Sequence, residues 1–155
     1  MPQLNKGGKF VFGLSVIHED GSVRIPLQAM QEYRMDEENE VILFTGSKST
    51  GGFCVTRRGL LLPSALGHIL TETPALTDGT LAPGEFVRYK GRSYCRLPRF
   101  GEGTLVLPAR TMQFLQLAPG MELLSIRSSD VAFTMGAKGP LLDKAASYEG
   151  EIPTY

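Results

Sequence analysis

The sequence predicts a mainly β fold made from two copies of one small unit, and three observations carry that expectation. A glycine–strand–proline–helix motif occurs twice in the same order. Glycine (18) and proline (10) are both frequent, which favours many short elements joined by tight turns. The runs Val23 to Ile25 and Leu105 to Leu107 are short and largely apolar, as buried strands are.

The repeat sets Gly21-Ser-Val-Arg-Ile-Pro26 beneath Gly103-Thr-Leu-Val-Leu-Pro108. Without a gap the match continues through Met30-Gln31 and Met112-Gln113, Tyr33 and Leu115, and Met35 and Leu117. Glu40 and Glu122 follow, then Val41-Ile42 against Leu123-Leu124 and Phe44 against Ile126. After a gap of four residues, Phe53 to Thr56 is expected to face Val131 to Thr134, with Gly59 and Gly139, then Pro63 and Pro140, closing each copy.

Each recurring slot has a physical job. Gly21 and Gly103 stand where a strand begins after a turn, the place for a positive φ, and Asp20-Gly21 is itself a hairpin signal. Pro26 and Pro108 stop their strands and fix a φ that a first helical turn accepts. Met30 and Tyr33, like Met112 and Leu115, then share one face of a short helix. Asp36-Glu37-Glu38-Asn39 and Ala118-Pro119-Gly120 end those helices with turn chemistry. Each unit therefore reads strand, strand, helix, strand, strand, with a short helix after Pro63 or Pro140. Neither unit has enough apolar surface to fold alone, so the pair is expected to close with pseudo-twofold symmetry. The expected layout is repeat 1 over 9–70, a linker over 71–84, repeat 2 over 85–148 and a polar tail over 149–155.

The stretch Gly103-Thr-Leu-Val-Leu-Pro-Ala-Arg-Thr-Met-Gln-Phe-Leu-Gln-Leu-Ala-Pro-Gly-Met-Glu-Leu resembles the core motif of SpoVT/AbrB-type domains. Gly21 to Phe44 is similar but weaker, with Tyr33-Arg-Met35 in place of the usual leucine-glycine-isoleucine. The resemblance implies a swapped-hairpin β-barrel, with both copies in one chain as in tandem MraZ-like members. It also implies a cytoplasmic, bacterial-type transcription regulator that binds duplex DNA through basic residues. The arginine typical of the family after the motif glycine is Ser22 and Thr104 here, and its basic pair beyond the proline is Met30-Gln31 and Met112-Gln113. The pair of aspartate and arginine that brackets the glycine in MraZ-like chains is absent too, since Asp20 has Ser22 and not an arginine across Gly21.

Charge directs attention elsewhere. Sixteen basic and sixteen acidic residues cancel, which mildly disfavours a dedicated polyanion binder, yet the distribution is uneven. Arg88, Lys90, Arg92, Arg96 and Arg99 are interleaved with Tyr89, Tyr94 and Phe100, and no acidic residue interrupts Val87 to Phe100. Alternation puts Arg88, Lys90 and Arg92 on one face of an extended segment, a row that could lie along phosphates. Arg24 and Arg110, near the motif prolines, could extend this surface. The plainer alternative is a solvated edge strand whose basic residues deter aggregation. Arg57-Arg58 reads as a solvated turn and Asp36 to Glu40 as an acidic turn at a helix end. A barrel acting as a protein-interaction or homo-oligomerisation module, without DNA, is the second functional reading.

Catalysis finds little footing. His18 and His68 stand alone in their local sequence, so no acid–base or nucleophile constellation forms, and an enzyme is not expected. Cys54 and Cys95 lack metal-type spacing and read as free thiols of a reducing cytoplasm; no cofactor is expected. Gly7-Gly8 and Gly51-Gly52 do not lead into a phosphate-loop helix, and no stretch of about twenty apolar residues would span a membrane.

Overall fold

The computed structural model describes residues 10–46, 50–64, 67–139, 142–143, 145 and 152–155. Copy one supplies β1 (Val11–Val16), β2 (Ser22–Arg24), helix α1 (Leu27–Glu32), β3 (Glu40–Phe44) and β4 (Phe53–Thr56). Two short helices follow, α2 (Arg58–Leu61) and α3 (His68–Glu72). Copy two then runs β5 (Val87–Tyr89), β6 (Arg92–Pro98), β7 (Thr104–Val106), α4 (Ala109–Leu115), β8 (Glu122–Arg127) and β9 (Phe133–Gly136). Nine strands against four short helices make the chain mainly β among its described residues.

Seven strands form one antiparallel sheet in the order β1-β8-β9-β4-β3-β6-β5, and β2 with β7 form a separate two-stranded ribbon. The order is palindromic from β1 to β6. Exchanging the copies turns the β1–β8 pair into β6–β3 and the β8–β9 pair into β3–β4, while β4–β9 and β2–β7 map onto themselves. β1 and its counterpart β6 are thus each paired with the other copy. Reciprocal bonds tie the motifs together: Ile25 N donates to Gly103 O (2.8 Å) and Leu107 N to Gly21 O (2.9 Å). The hydrogen-bonded sheet leaves β1 and β5 as its two ends rather than closing on itself.

The main core lies between ribbon and sheet. Val23, Ile25, Leu105 and Leu107 pack there with Leu43, Val55, Leu97, Leu123, Phe133 and Met135. Ala29, Met30 and Tyr33 bring the inner face of α1 to the same core, as the helical spacing predicted. Both motif prolines immediately precede their helices, with Pro26 before α1 and Pro108 before α4.

Three expectations change. Cys54 pairs with both Phe44 and Thr134, and Thr134 pairs with Ile126, so Phe53 to Thr56 correspond to Phe133 to Gly136. The gap between the copies is two residues shorter than the sequence alignment placed it. A slip of two residues keeps every side chain on its own sheet face, so the apolar pattern could not discriminate the two alignments. Gly21 has φ +84°, but Gly103 is not left-handed; the positive φ near the second motif falls on Gly101 (+55°) instead. The short helix of copy one starts at Arg58, before Pro63, while Pro140 lies outside the described residues.

The 71–84 stretch is also more than a tether. It continues α3, adds a 3₁₀ turn at Pro74–Leu76, and buries Leu76 and Leu81 with Ile42, Phe44 and Tyr94 on the outer sheet face. A smaller cluster of Val11, Leu124, Ile126 and Ala145 covers the β1–β8 end of that face.

Copy comparison exposes one mismatch. Leu43 fills the main core opposite Cys95, and its counterpart opposite Gly13 is Ser125, a buried residue whose Oγ has no hydrogen-bond partner. An unsatisfied buried hydroxyl costs about 1–3 kcal/mol. Ser125→Ala is therefore expected to raise unfolding stability by about 1 kcal/mol, read as an increase in urea midpoint at unchanged slope.

Candidate nucleic-acid interface

The basic segment is not a single extended row. β5 and β6 form a hairpin with Val87 opposite Tyr94, Arg88 opposite Ser93 and Tyr89 opposite Arg92. The chain reverses at Lys90-Gly91, where φ is +46° and +83°, the paired positive values that a two-residue hairpin turn demands. Opposed residues share a sheet face, so Tyr89 and Arg92 lie on one side and Arg88 on the other. Lys90 sits at the tip. The glycine at position 91, between two short β-like runs, was the signal that the alternation argument passed over.

Aromatic rings anchor this tip. Lys90 Nζ lies 5.3 Å from the Tyr89 ring centroid, and the Arg92 guanidinium lies 5.4 Å from that of Phe44. Phe44 in turn stacks on Tyr94 at 5.5 Å. The Tyr89 hydroxyl donates to the Glu72 carboxylate at the end of α3, and that bond pushes the phenol above its usual range. Arg88, Lys90 and Arg92 are exposed, and none of them makes an ion pair with a described carboxylate.

Arg96 and Arg99 behave differently. The Arg96 side chain is only 14% exposed; it forms an ion pair with Glu40, and its Nε donates to Leu81 O (2.8 Å). Arg99 donates through Nε and Nη2 to the Glu38 carbonyl (3.2 and 2.9 Å) and through Nη1 to Gly101 O. Both arginines are turned toward the chain itself, not toward solvent partners. Arg110 is exposed but stands 3.7 Å from Glu85. Arg24, exposed on the ribbon opposite Thr104, makes no ion pair with a described residue.

Arg57 is the residue that sequence reasoning most misjudged. It is buried rather than a solvated turn residue, and only its neighbour Arg58 is exposed. Arg57 Nε donates to Tyr33 O (3.0 Å), and Nη1 reaches Glu38 Oε2 (2.8 Å), which also accepts from Gly59 N (2.9 Å). Glu37 adds a looser contact at 3.9 Å. The acidic run is therefore the counter-charge of Arg57 and Arg96, as well as a turn. No local pattern announces this, because the partners are brought together by strand pairing.

The predicted surface consequently divides. The hairpin tip is at the Arg92 end of β6, beside Phe44, whereas β7 and Arg24 follow from the Pro98 end. Seven residues of strand separate those ends by roughly 20 Å. The structure puts Arg88, Lys90 and Arg92 on one hairpin, with Arg88 and Arg92 on opposite faces, places Arg24 and Arg110 elsewhere, and holds Arg96 and Arg99 in internal bonds.

The remaining polar groups do not converge on chemistry. Cys54 on β4 and Cys95 on β6 are buried free thiols with β3 between their strands; burial pushes Cys54 up and Cys95 to about 12. Among the described residues, no three His, Cys, Asp or Glu side chains come together to hold a metal ion, and no helix is long and apolar enough to cross a membrane. Gly7-Gly8 lies outside the described residues. No protein-family model matches the chain, and no curated protein matches it either.

Two outcomes follow from this geometry. Glu38→Ala would strand the buried Arg57 guanidinium, with an expected loss of about 2–4 kcal/mol in urea unfolding. Both thiols should resist a disulfide reagent at pH 8 in the native protein and react together once it is unfolded, as a colorimetric thiol titration would show.

Proposed function

We propose that the ribbon and sheet form a swapped-hairpin barrel of the AbrB type, and that the protein is a transcription regulator binding duplex DNA through the β5–β6 hairpin. The pairing of β1 and of its counterpart β6 with the other copy supports the architectural part. The observation that carries the functional part is the hairpin: Lys90 and Arg92 lie against aromatic rings, Arg88 is exposed on its other face, and none of the three is in ion-pair contact with a described carboxylate. A β-hairpin is slim enough to enter a major groove, and cations at its tip suit phosphate or base-edge contacts. Neutral net charge then means that binding is local, with few phosphates engaged.

One observation favours a second reading, a barrel that docks a protein instead. Leu27 and Phe100 are about half exposed (49% and 52%), and Leu27 with Met30 and Gly101 lines an open groove of about 470 Å³.

Fluorescence anisotropy with random-sequence duplex separates the two readings. The proposal expects binding at 50 mM salt that weakens steeply by 200 mM. Replacing Arg88, Lys90 and Arg92 with alanine should lower the log–log salt slope by about 2–3 at unchanged melting temperature. Absence of salt-dependent binding at low salt would remove the DNA reading and leave the protein-docking one.

A further inference from the structure

The two ends of the seven-stranded sheet are finished differently. At one end β5 folds back along β6; at the other, residues 153–155 run parallel to β1. Leu14 N donates to Pro153 O (2.8 Å), Tyr155 N to Leu14 O (2.7 Å) and Val16 N to Tyr155 O (3.1 Å). Edge strands carry a row of unpaired backbone groups that accept another strand in this way. Proline is well placed there: it has no N–H to leave unsatisfied and contributes only its carbonyl.

Gly13 makes the docking possible. A Cβ at that position would lie 2.7 Å from Pro153 O and 2.9 Å from the Tyr155 ring, and the first of these neighbours is backbone. Glycine inside a strand ordinarily weakens it, and often marks a close approach by another chain segment. The counterpart position in copy two, opposite Leu43 as Gly13 is opposite Ser125, is Cys95. The β6 edge that carries Cys95 is covered instead by the antiparallel strand β5, so the two edges take different segments.

Three backbone bonds, the Tyr155 ring and the apolar packing of Ile152 are a modest attachment for a segment whose Pro153 and Thr154 are exposed. Such contacts open far more readily than the core. We propose that the β1 edge is a strand-acceptor site, and that the 152–155 segment of a second copy occupies it in exchange for the resident one. The second copy is the occupant because every chain carries both a fitted donor, Pro153-Thr154-Tyr155, and the glycine-gated acceptor. Exchange of identical elements re-forms the same contacts between two chains and closes a symmetric dimer. This inference is independent of DNA binding.

The test mixes two full-length variants that complement each other. Tyr155→Ala keeps the acceptor and loses the ring of the donor; Gly13→Val keeps the donor and blocks the acceptor. Each alone should sediment as a monomer, and the mixture should yield a heterodimer at roughly 100 µM that excess synthetic peptide of residues 151–155 dissolves. A mixture that stays monomeric, with both variants folded by circular dichroism, overturns the proposal. Should Gly13→Val fail to fold, the labelled peptide is titrated into Tyr155→Ala and wild type. At least tenfold tighter binding to Tyr155→Ala, whose own segment competes poorly, is expected; equal binding, or none, overturns the proposal.

Discussion

The reciprocal bonding of the two motifs is the constraint on which the rest of the structure depends. Gly21 accepts from Leu107, Gly103 accepts from Ile25, and Val23 lies opposite Leu105 in the ribbon between them. Neither motif can satisfy its strand backbone or cover its apolar face without the other. Once the ribbon forms, β1 and β6 are each carried across to the partner copy, and the palindromic order of the sheet follows. The cost of this arrangement is sequence separation, since four of its seven strand pairings join residues roughly 50 to 115 positions apart, which slows folding rather than weakening the folded state.

Symmetry at the level of backbone is broken at the level of side chains. Copy one supplies the acidic turn that holds Arg57 and Arg96, while copy two supplies the hairpin with exposed cations. A charged group facing its own chain contributes to the fold and is lost to a partner. That distinction leaves, of seven candidate residues, three on the two faces and tip of one hairpin, with Arg24 and Arg110 apart from it. It also explains how a chain of zero net charge can keep a local positive feature.

Position 13 illustrates how much rests on one missing side chain. Its counterpart Cys95 is buried in the core, and its cross-strand neighbour Ser125 replaces Leu43. The half of the sheet with Gly13 and Ser125 has less side-chain volume to pack than the other, and Tyr155 lies against that thinner edge. The repeat thus supplied two similar edges, and each carries a different added segment: β5 runs antiparallel along β6, and residues 153–155 run parallel to β1 across Gly13.

The strand–proline–helix order of each motif and the apolar faces were legible in the sequence, because glycine, proline and side-chain periodicity act within a few residues; the β5–β6 hairpin and a helix that begins before Pro63 were not. The repeat was legible for the same reason. Its alignment failed only across β4 and β9, where a two-residue slip leaves the face pattern unchanged and register is decided by hydrogen bonds to β3 and β8. The site was less legible. Composition marked 87–100 as basic, but Arg88, Lys90 and Arg92 look the same in sequence as Arg96 and Arg99. Only pairing β3 with β6, and seating Arg57 beneath the acidic turn, decided which charges meet a carboxylate or a carbonyl. Local propensity is written in neighbouring residues, whereas charge neutralisation is a property of distances between residues that the fold alone brings together.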